Sequence, residues 1–427
     1  MKKVLIITYH FPPRRTVGSL RLLGLAKYLP EFGWETIILT ATLPSRPDPQ
    51  FKVLEAQYHD SLGPLKRLFK IDSEQNLMSQ IAQLKEIMKM RAEKSLLDLI
   101  LTAIGEVSAY PDPQKGWRHS AVRTGEDILR QESIDVMISS SPPATSHIIA
   151  KELKEKYKVP WVAEFRDLWT QNYYYRYSPL RKMIERMLEL NTLRWADVLV
   201  TASTPLAIEL GELHGQKPVY SITNGFDPAE VNSTGEGVTN KFTITYTGNL
   251  YPSKQSPEPL FMALRDLISQ ESINASDIEV RFYGSKVGWV DKQAERCGLT
   301  SIVKQFGIVP REIVLSKQRE SQLLLLLKWN DPKQRGAYST KTFEYLAAKR
   351  PILAVGGFHD VVNELLDETK AGICASTIED IKRVVKELYR EYKLKGIITY
   401  KGEKSEVYKY SYREIARKFV LVLDKLA

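Results

Sequence analysis

Residues 336–357 read GAYSTKTFEYLAAKRPILAVGG. Ser339 or Thr340 suits a helix N-cap, and Phe343, Leu346 and Ala347 supply one apolar face. Lys349 and Arg350 fall at the C-terminal end, where cations suit the helix dipole, and Pro351 halts the helix. Residues 352–355 then read as a short buried strand ending at Gly356-Gly357. Lys341 breaks the electrostatic pattern. It lies in the first helical turn, where the partial positive charge of free N–H groups disfavours a cation. A nearby anion reverses that sign. Free N–H groups, a lysine and a cap hydroxyl at one helix mouth make a phosphate site, and Glu344, one turn on, is placed to accept bonds from a ribose diol. The alternative is that Lys341 and Glu344 pair at i, i+3 on a solvated face.

The same alternation runs through the whole chain. Residues 4–8 form an all-apolar strand, 19–29 have helical spacing, and 36–39 are the next strand, a β-α-β unit that implies a parallel sheet. The first loop, with Pro12, Pro13, Arg14 and Arg15, lacks Gly-x-Gly-x-x-Gly, so no nicotinamide-type site is indicated. Further strands are read at 135–139, 160–164, 198–201 and 220–222, with helices at 144–157 and 183–195. Residues 228–240 are polar and look like a linker. Beyond them the pattern restarts, with strands at 242–247, 279–282, 302–306 and 323–327, and helices at 260–268, 290–297, 378–389 and 413–426. The chain therefore holds two successive parallel α/β units. Ligands of such sheets collect beyond the carboxyl ends of strands, and two facing sheets can wall one cleft.

A length of 427 residues favours two domains. The formal charge of +10 suits polyanionic ligands, nucleic acid or an anionic membrane without choosing among them. The two cysteines, Cys297 and Cys374, are too far apart for metal-ligand spacing, which points to a reducing compartment. The N-terminus runs straight into a strand, so no signal peptide is expected. No apolar run is long enough to span a bilayer. Residues 60–105 interleave Lys66, Arg67, Lys70, Lys85, Lys89, Arg91 and Lys94 with Leu65, Leu68, Phe69, Ile81, Leu84, Ile87 and Met88. Two basic amphipathic helices are the natural reading, suited either to an anionic membrane or to a core with a solvated basic side. Nucleic acid is not an expected partner, because the cations are dispersed and no recognised module is visible.

Several separated motifs, in order, resemble those of the retaining family 4 glycosyltransferases with the GT-B fold. They are Tyr9-His10-Phe11-Pro12-Pro13 with Gly18-Ser19 and Arg21, Tyr110-Pro111-Asp112-Pro113 with Trp117, and Ser140-Ser141-Pro142-Pro143 with His147. Trp161 through Trp169, Asn224-Gly225-Phe226-Asp227, Tyr246 through Tyr251, and the helix and strand quoted above complete the series. The resemblance covers nearly the whole chain. It implies two Rossmann-like parallel-sheet domains facing across a cleft. Residues 1–227 would bind the acceptor, 228–404 the nucleotide sugar, and a helix within 405–427 would cross back. It also implies donor contacts. Ser339, Thr340, Lys341 and Lys254 would hold the diphosphate, with Glu344 on the ribose. Gly284, Ser285 and Val309 would frame base and ribose, and Gly248-Asn249 would lie beside the donor. Gly18 would let the first loop approach the phosphates, as a residue without Cβ can. Arg166, facing phosphate or acceptor, and Asp167, near the acceptor hydroxyl, are the catalytic candidates with Glu344; the residues alone also allow an Arg166–Asp167 ion pair that stiffens a loop.

The sequence departs from the family pattern in three places. Gly336 stands where a first glutamate usually precedes Glu344, Gly248-Asn249 replaces Gly-Arg, and a Ser-Ser-Pro-Pro loop replaces a catalytic-loop histidine. His147, one helical turn beyond that loop, reads either as chemistry or as packing, and the Tyr173–Tyr177 cluster either as core or as an acceptor-facing loop. The resemblance implies retaining, metal-independent transfer from a UDP- or GDP-sugar, with no other cofactor, to a saccharide or lipid-linked saccharide in surface-polysaccharide or glycolipid synthesis. The expected location is the cytoplasm, peripherally at the inner face of the membrane. The rival readings are a nucleotide-sugar epimerase or hydrolase on the same scaffold, and a non-catalytic nucleotide-sugar-binding protein.

Overall fold

Strand β1 (Lys2–Ile7) buries Val4, Leu5, Ile6 and Ile7 completely, as a strand covered on both faces must. The computed structural model describes residues 1–14, 16–59, 106–175, 177–215, 217–231 and 237–427, without the side chain of Val17. The basic amphipathic helices expected within 60–105, Arg176 of the tyrosine cluster and residues 232–236 of the expected linker lie outside the described residues. The chain divides into two compact units, Met1–Ile222 with Arg417–Ala427, and Thr223–Ala416.

In unit 1, β1 is followed by α1 (Val17–Tyr28), β2 (Trp34–Ala41), β3 (Lys52–Ala56), α2 (Arg118–Gln131), β4 (Val136–Ser141) and α3 (Thr145–Tyr157). Then come β5 (Trp161–Phe165), α4 (Pro179–Leu193), β6 (Val198–Thr201), α5 (Thr204–His214) and β7 (Val219–Ser221). Among the described residues these strands make one parallel sheet, ordered β3-β2-β1-β4-β5-β6-β7. The strand order reverses between β1 and β4, and the loops at their carboxyl ends border the crevice where such sheets bind ligands. Asp112, from the expected stiff turn, is buried and accepts the Thr145 N–H and hydroxyl at 2.7 Å each, anchoring the start of α3 from outside the helix.

Unit 2 contains α6 (Pro228–Val231), β8 (Phe242–Thr247), α7 (Glu258–Ser269), β9 (Ile278–Tyr283), α8 (Gly288–Arg296), β10 (Val303–Gly307) and α9 (Arg311–Glu320). It continues with β11 (Leu323–Leu327), α10 (Thr340–Ala348), β12 (Ile352–Val355), α11 (Val361–Thr369), β13 (Gly372–Ala375), α12 (Ile378–Lys395), α13 (Lys404–Tyr408) and the start of α14 (Tyr412–Leu423). Its sheet, ordered β10-β9-β8-β11-β12-β13, is again parallel, and its order reverses between β8 and β11. The leucine run of β11 shows why it is a strand: Leu323, Leu325 and Leu327 enter one core, Leu324 and Leu326 the opposite one. From Arg417 onward the last helix belongs to unit 1. There Asp424 accepts from Lys2 at 3.1 Å and from the Trp34 indole at 3.2 Å, and Phe419 lies beneath the Arg21 guanidinium. No helix among the described residues is long and apolar enough to cross a membrane.

Candidate functional site

Helix α10 begins at Thr340, with Ser339 in the N-cap position. Contrary to the sequence expectation, the Ser339 side chain does not cap the helix. It makes no cap bond and its hydroxyl pairs with that of Thr342 at 3.1 Å, so the hydroxyls satisfy each other and leave the first turn without a side-chain cap. Lys341 and Glu344 do not pair with each other either. Lys341 donates to the Tyr246 hydroxyl at 3.2 Å, its ammonium 4.9 Å from that ring's centre. Glu344 instead accepts from Arg311, which also reaches Glu230 at 3.2 and 3.3 Å. Poor solvation at the Lys341 ammonium pushes its pKa down to about 8, and Glu344 offsets this only in part. A cation is therefore held at the positive end of a helix, in a place that disfavours its charge.

The lysine lies beside bare backbone. A Cβ on Gly248 would sit 3.2 Å from Lys341 Cε, and Gly248 has φ +107. Gly284 is closer still to its neighbour: with φ +152, a Cβ there would come within 2.2 Å of the Gly248 carbonyl oxygen. Asn249 closes the turn by accepting from the Ser285 N–H at 3.3 Å and hydroxyl at 3.0 Å. So Gly248, Asn249, Gly284, Ser285 and Lys341 converge at the carboxyl end of β8, beside the strand-order reversal. Tyr345, one turn after Lys341 on the same face, fixes the approach of α10: its hydroxyl accepts the Thr247 N–H at 3.0 Å. Lys254 lies further along the same loop, and its carbonyl accepts the Asn330 N–H at 3.0 Å. Thr340 opens α10 beside Lys341, and Val309 lies in the loop before α9, close in sequence to Arg311.

In unit 1, Arg166 and Asp167 follow β5. Arg166 gives its guanidinium to the carbonyls of Pro142 at 2.6 Å and Ser141 at 3.3 Å rather than to Asp167. It covers Gly18, where a Cβ would meet Arg166 Nη1 at 1.5 Å. The close approach that Gly18 permits is thus filled by a cation. Asp167 keeps surface access, yet the atoms crowded round it raise its carboxyl pKa, against the pull of Arg166. Beneath them, Arg21 and Glu164 form a wholly buried ion pair at 2.8 Å, with Ser140 donating to Glu164.

A match to Glycosyltransferase Family 4 spans residues 18–230. The chain belongs to the family 4 glycosyltransferases. No curated protein matches the sequence. Among solved structures, Anabaena HepE in complex with UDP and glucose aligns over 100% of both chains, with TM-score 0.63 and 13% identity. Sucrose-phosphate synthase of Thermosynechococcus elongatus aligns over 100% of this chain and 99% of its own, with TM-score 0.63 and 12% identity. The apo lipopolysaccharide outer-core galactosyltransferase WaaB aligns over 99% of this chain and 100% of its own, with TM-score 0.58 and 9% identity. The two parallel-sheet units are those of the GT-B fold.

In this glycosyltransferase His147 is a packing residue. It is fully buried, 4.5 Å from the Phe165 ring centre, with Nδ1 2.7 Å from the Ser139 hydroxyl. Ser139 also receives the Trp161 indole N–H at 2.7 Å. Burial pushes the His147 pKa down to about 3, which keeps it neutral. Within the tyrosine cluster, Tyr177 lies under the Arg181 guanidinium at 3.3 Å, and Tyr173 is exposed. Sequence reasoning missed Tyr246, Tyr345 and Arg311 as site residues. Tyr246 was quoted only as the head of a motif, and for Tyr345 only the i, i+4 spacing to Lys341 marked a shared face. Arg311 carried no signal, because its helix was not anticipated.

Proposed function

We propose that this glycosyltransferase moves a sugar from a nucleoside-diphosphate sugar to a saccharide or lipid-linked saccharide, with retention and without a metal. The observation that carries the reading is the poorly solvated Lys341 ammonium at the mouth of α10, against the bare backbone of Gly248. A diphosphate there would accept from that ammonium and from the first-turn amides. Charge developing on the departing diphosphate would meet donors already oriented for it. The UDP of the HepE complex supports the donor class. Glu344, steadied by Arg311, would take the ribose hydroxyls, with Ser285 and Val309 framing the nucleoside. Lys254 would be a second phosphate contact. Gly18 and Arg166 would contact phosphate or acceptor, and Asp167 would lie near the acceptor hydroxyl.

A thermal-shift screen of UDP, GDP and their sugars tests the donor half, since a ligand that binds the native state raises the melting temperature. One nucleotide series should raise it, and Lys341→Ala should abolish the shift. A full shift in Lys341→Ala rejects the site. Turnover should survive EDTA and need an acceptor; donor consumption without acceptor would mark an epimerase or hydrolase instead.

A further inference from the structure

Helix α4 is built inside out. Its inward face is polar: Arg181 donates to Glu185 at 2.7 Å and to the Ala109 carbonyl at 2.9 Å. Glu185 also accepts the Trp169 indole N–H at 3.3 Å, and Glu189 accepts the Thr170 N–H at 3.1 Å. All three charged side chains are buried. The outward face is apolar. Leu180, Met183, Ile184, Met187 and Leu190 are 65%, 58%, 45%, 67% and 39% exposed. Their spacing of three and four residues lays them in one stripe along the helix. A surface helix normally turns such a stripe to the core, and an exposed one marks a contact surface.

The charges on α4 select the partner. Both of its carboxylates, Glu185 and Glu189, are turned inward, so every charged side chain of this segment that reaches solvent is a cation: Lys182 and Arg186, one turn apart, and Arg194 just past the end. A stripe of leucine, isoleucine and methionine edged only by cations fits an anionic lipid surface, with the helix lying in the headgroup plane. A second copy fits poorly, because two such faces would set these cations against each other with no carboxylate on the helix to answer them.

We infer that α4 is an interfacial helix that docks unit 1 on anionic lipid through Leu180, Met183, Ile184, Met187 and Leu190. The inference rests on α4 alone and not on the donor reading. Vesicle binding is measured without donor, so either can fail while the other stands.

The test is co-sedimentation of the full chain with phosphatidylglycerol–phosphatidylcholine vesicles and with pure phosphatidylcholine. Binding should be stronger to the anionic vesicles by about tenfold or more and should fall with added salt. The double variant M183E/M187E should lose about tenfold or more of that binding, with its melting temperature unchanged because both positions are exposed. K182Q/R186Q, which leaves the stripe intact, should keep residual binding and lose most of the salt dependence. Failure of the parent to sediment with anionic vesicles overturns the inference, as does parent-like binding by M183E/M187E. A dimer that M183E/M187E dissociates would assign the face to a second copy. Slow maleimide labelling of Met187→Cys in a Cys374→Ser background would show the face already covered. Saturable binding of an acidic peptide with no vesicle binding would assign it to a protein partner.

Discussion

Lys341 sits where its charge costs stability, and the proposed diphosphate contact would give that charge a use. Its pKa falls from 10.5 to about 8 because the folded site solvates the ammonium poorly. For a base depressed in the folded state, the penalty is fully present below pH 8 and is relieved as pH rises toward 10.5. Lys341→Met should therefore match or exceed the parent in melting temperature at pH 7 while losing donor binding. In the parent, donor affinity should weaken as pH rises through about 8, because the free site sheds the proton that the diphosphate needs; titration calorimetry at pH 7 and 9 measures it. Affinity that is flat over that range would remove Lys341 from the phosphate. Two glycines make a second contrast. At Gly284 a Cβ meets the Gly248 backbone at φ +152, so Gly284→Ala should cost about 1–3 kcal/mol in denaturant midpoints. At Gly18 it meets the end of the Arg166 side chain, which can swing away. Gly18→Ala should thus leave stability nearly unchanged and reduce turnover by displacing that guanidinium.

At the scale of elements, α10 is held in register by Tyr345. Its buried hydroxyl accepts the Thr247 N–H, while Thr247 Oγ1 receives the Gln318 amide at 2.9 Å. Tyr345→Phe leaves that N–H buried without its acceptor, and we expect a loss of about 1–3 kcal/mol in chemical denaturation. Donor KM should rise as well, because α10 carries Lys341 to the end of β8. The strands at the centre of both sheets were legible in the sequence: β1, β8, β11 and β12 are buried on both faces and read as short runs dominated by apolar or β-branched residues. Of the edge strands, β7 and β10 were read, at 220–222 and 302–306, while β3 and β13, short and partly exposed, were not. α2 and α9 carry many charges and few apolar residues, and their helical pattern is faint without the packing that selects it. The site divides in the same way. The position of Lys341 in the first turn of α10 was legible because the helix dipole makes a cation conspicuous there. The Arg311–Glu344 pairing was not, because it joins two helices whose relation only the fold sets.

At the scale of the molecule, the units should differ in their response to acid. Unit 1 holds two histidines kept neutral: poor solvation, with Arg166 and Arg14 nearby, pushes the half-buried His10 down to about 4, and burial pushes His147 down to about 3. In the unfolded chain both take up protons near pH 6.5. A base with a depressed folded pKa favours the native state above its unfolded pKa and disfavours it as pH falls below. These two imidazoles should lower the stability of unit 1 by about 2.7 kcal/mol per pH unit between about pH 6 and 4.5, opposed in part by Asp112, Asp167 and Glu209, whose carboxyl pKa values poor solvation raises. In unit 2, Lys341 acts only above pH 8, and partners hold Asp277, Glu368 and Glu391 below the usual carboxylate range. Those carboxylates begin to cost stability only below about pH 4.5. Calorimetry from pH 7.5 to 5 should therefore show one transition sliding downward while the other stays nearly still. Trp34, Trp117, Trp161, Trp169 and Trp195 lie in unit 1 against Trp289 and Trp329 in unit 2, so tryptophan emission should follow the sliding transition. His147→Gln, which removes one of the two protons, should flatten the slope by about 1.4 kcal/mol per pH unit. Two transitions moving together, or a slope unchanged in His147→Gln, would mean that the imidazoles are protonated in the folded chain.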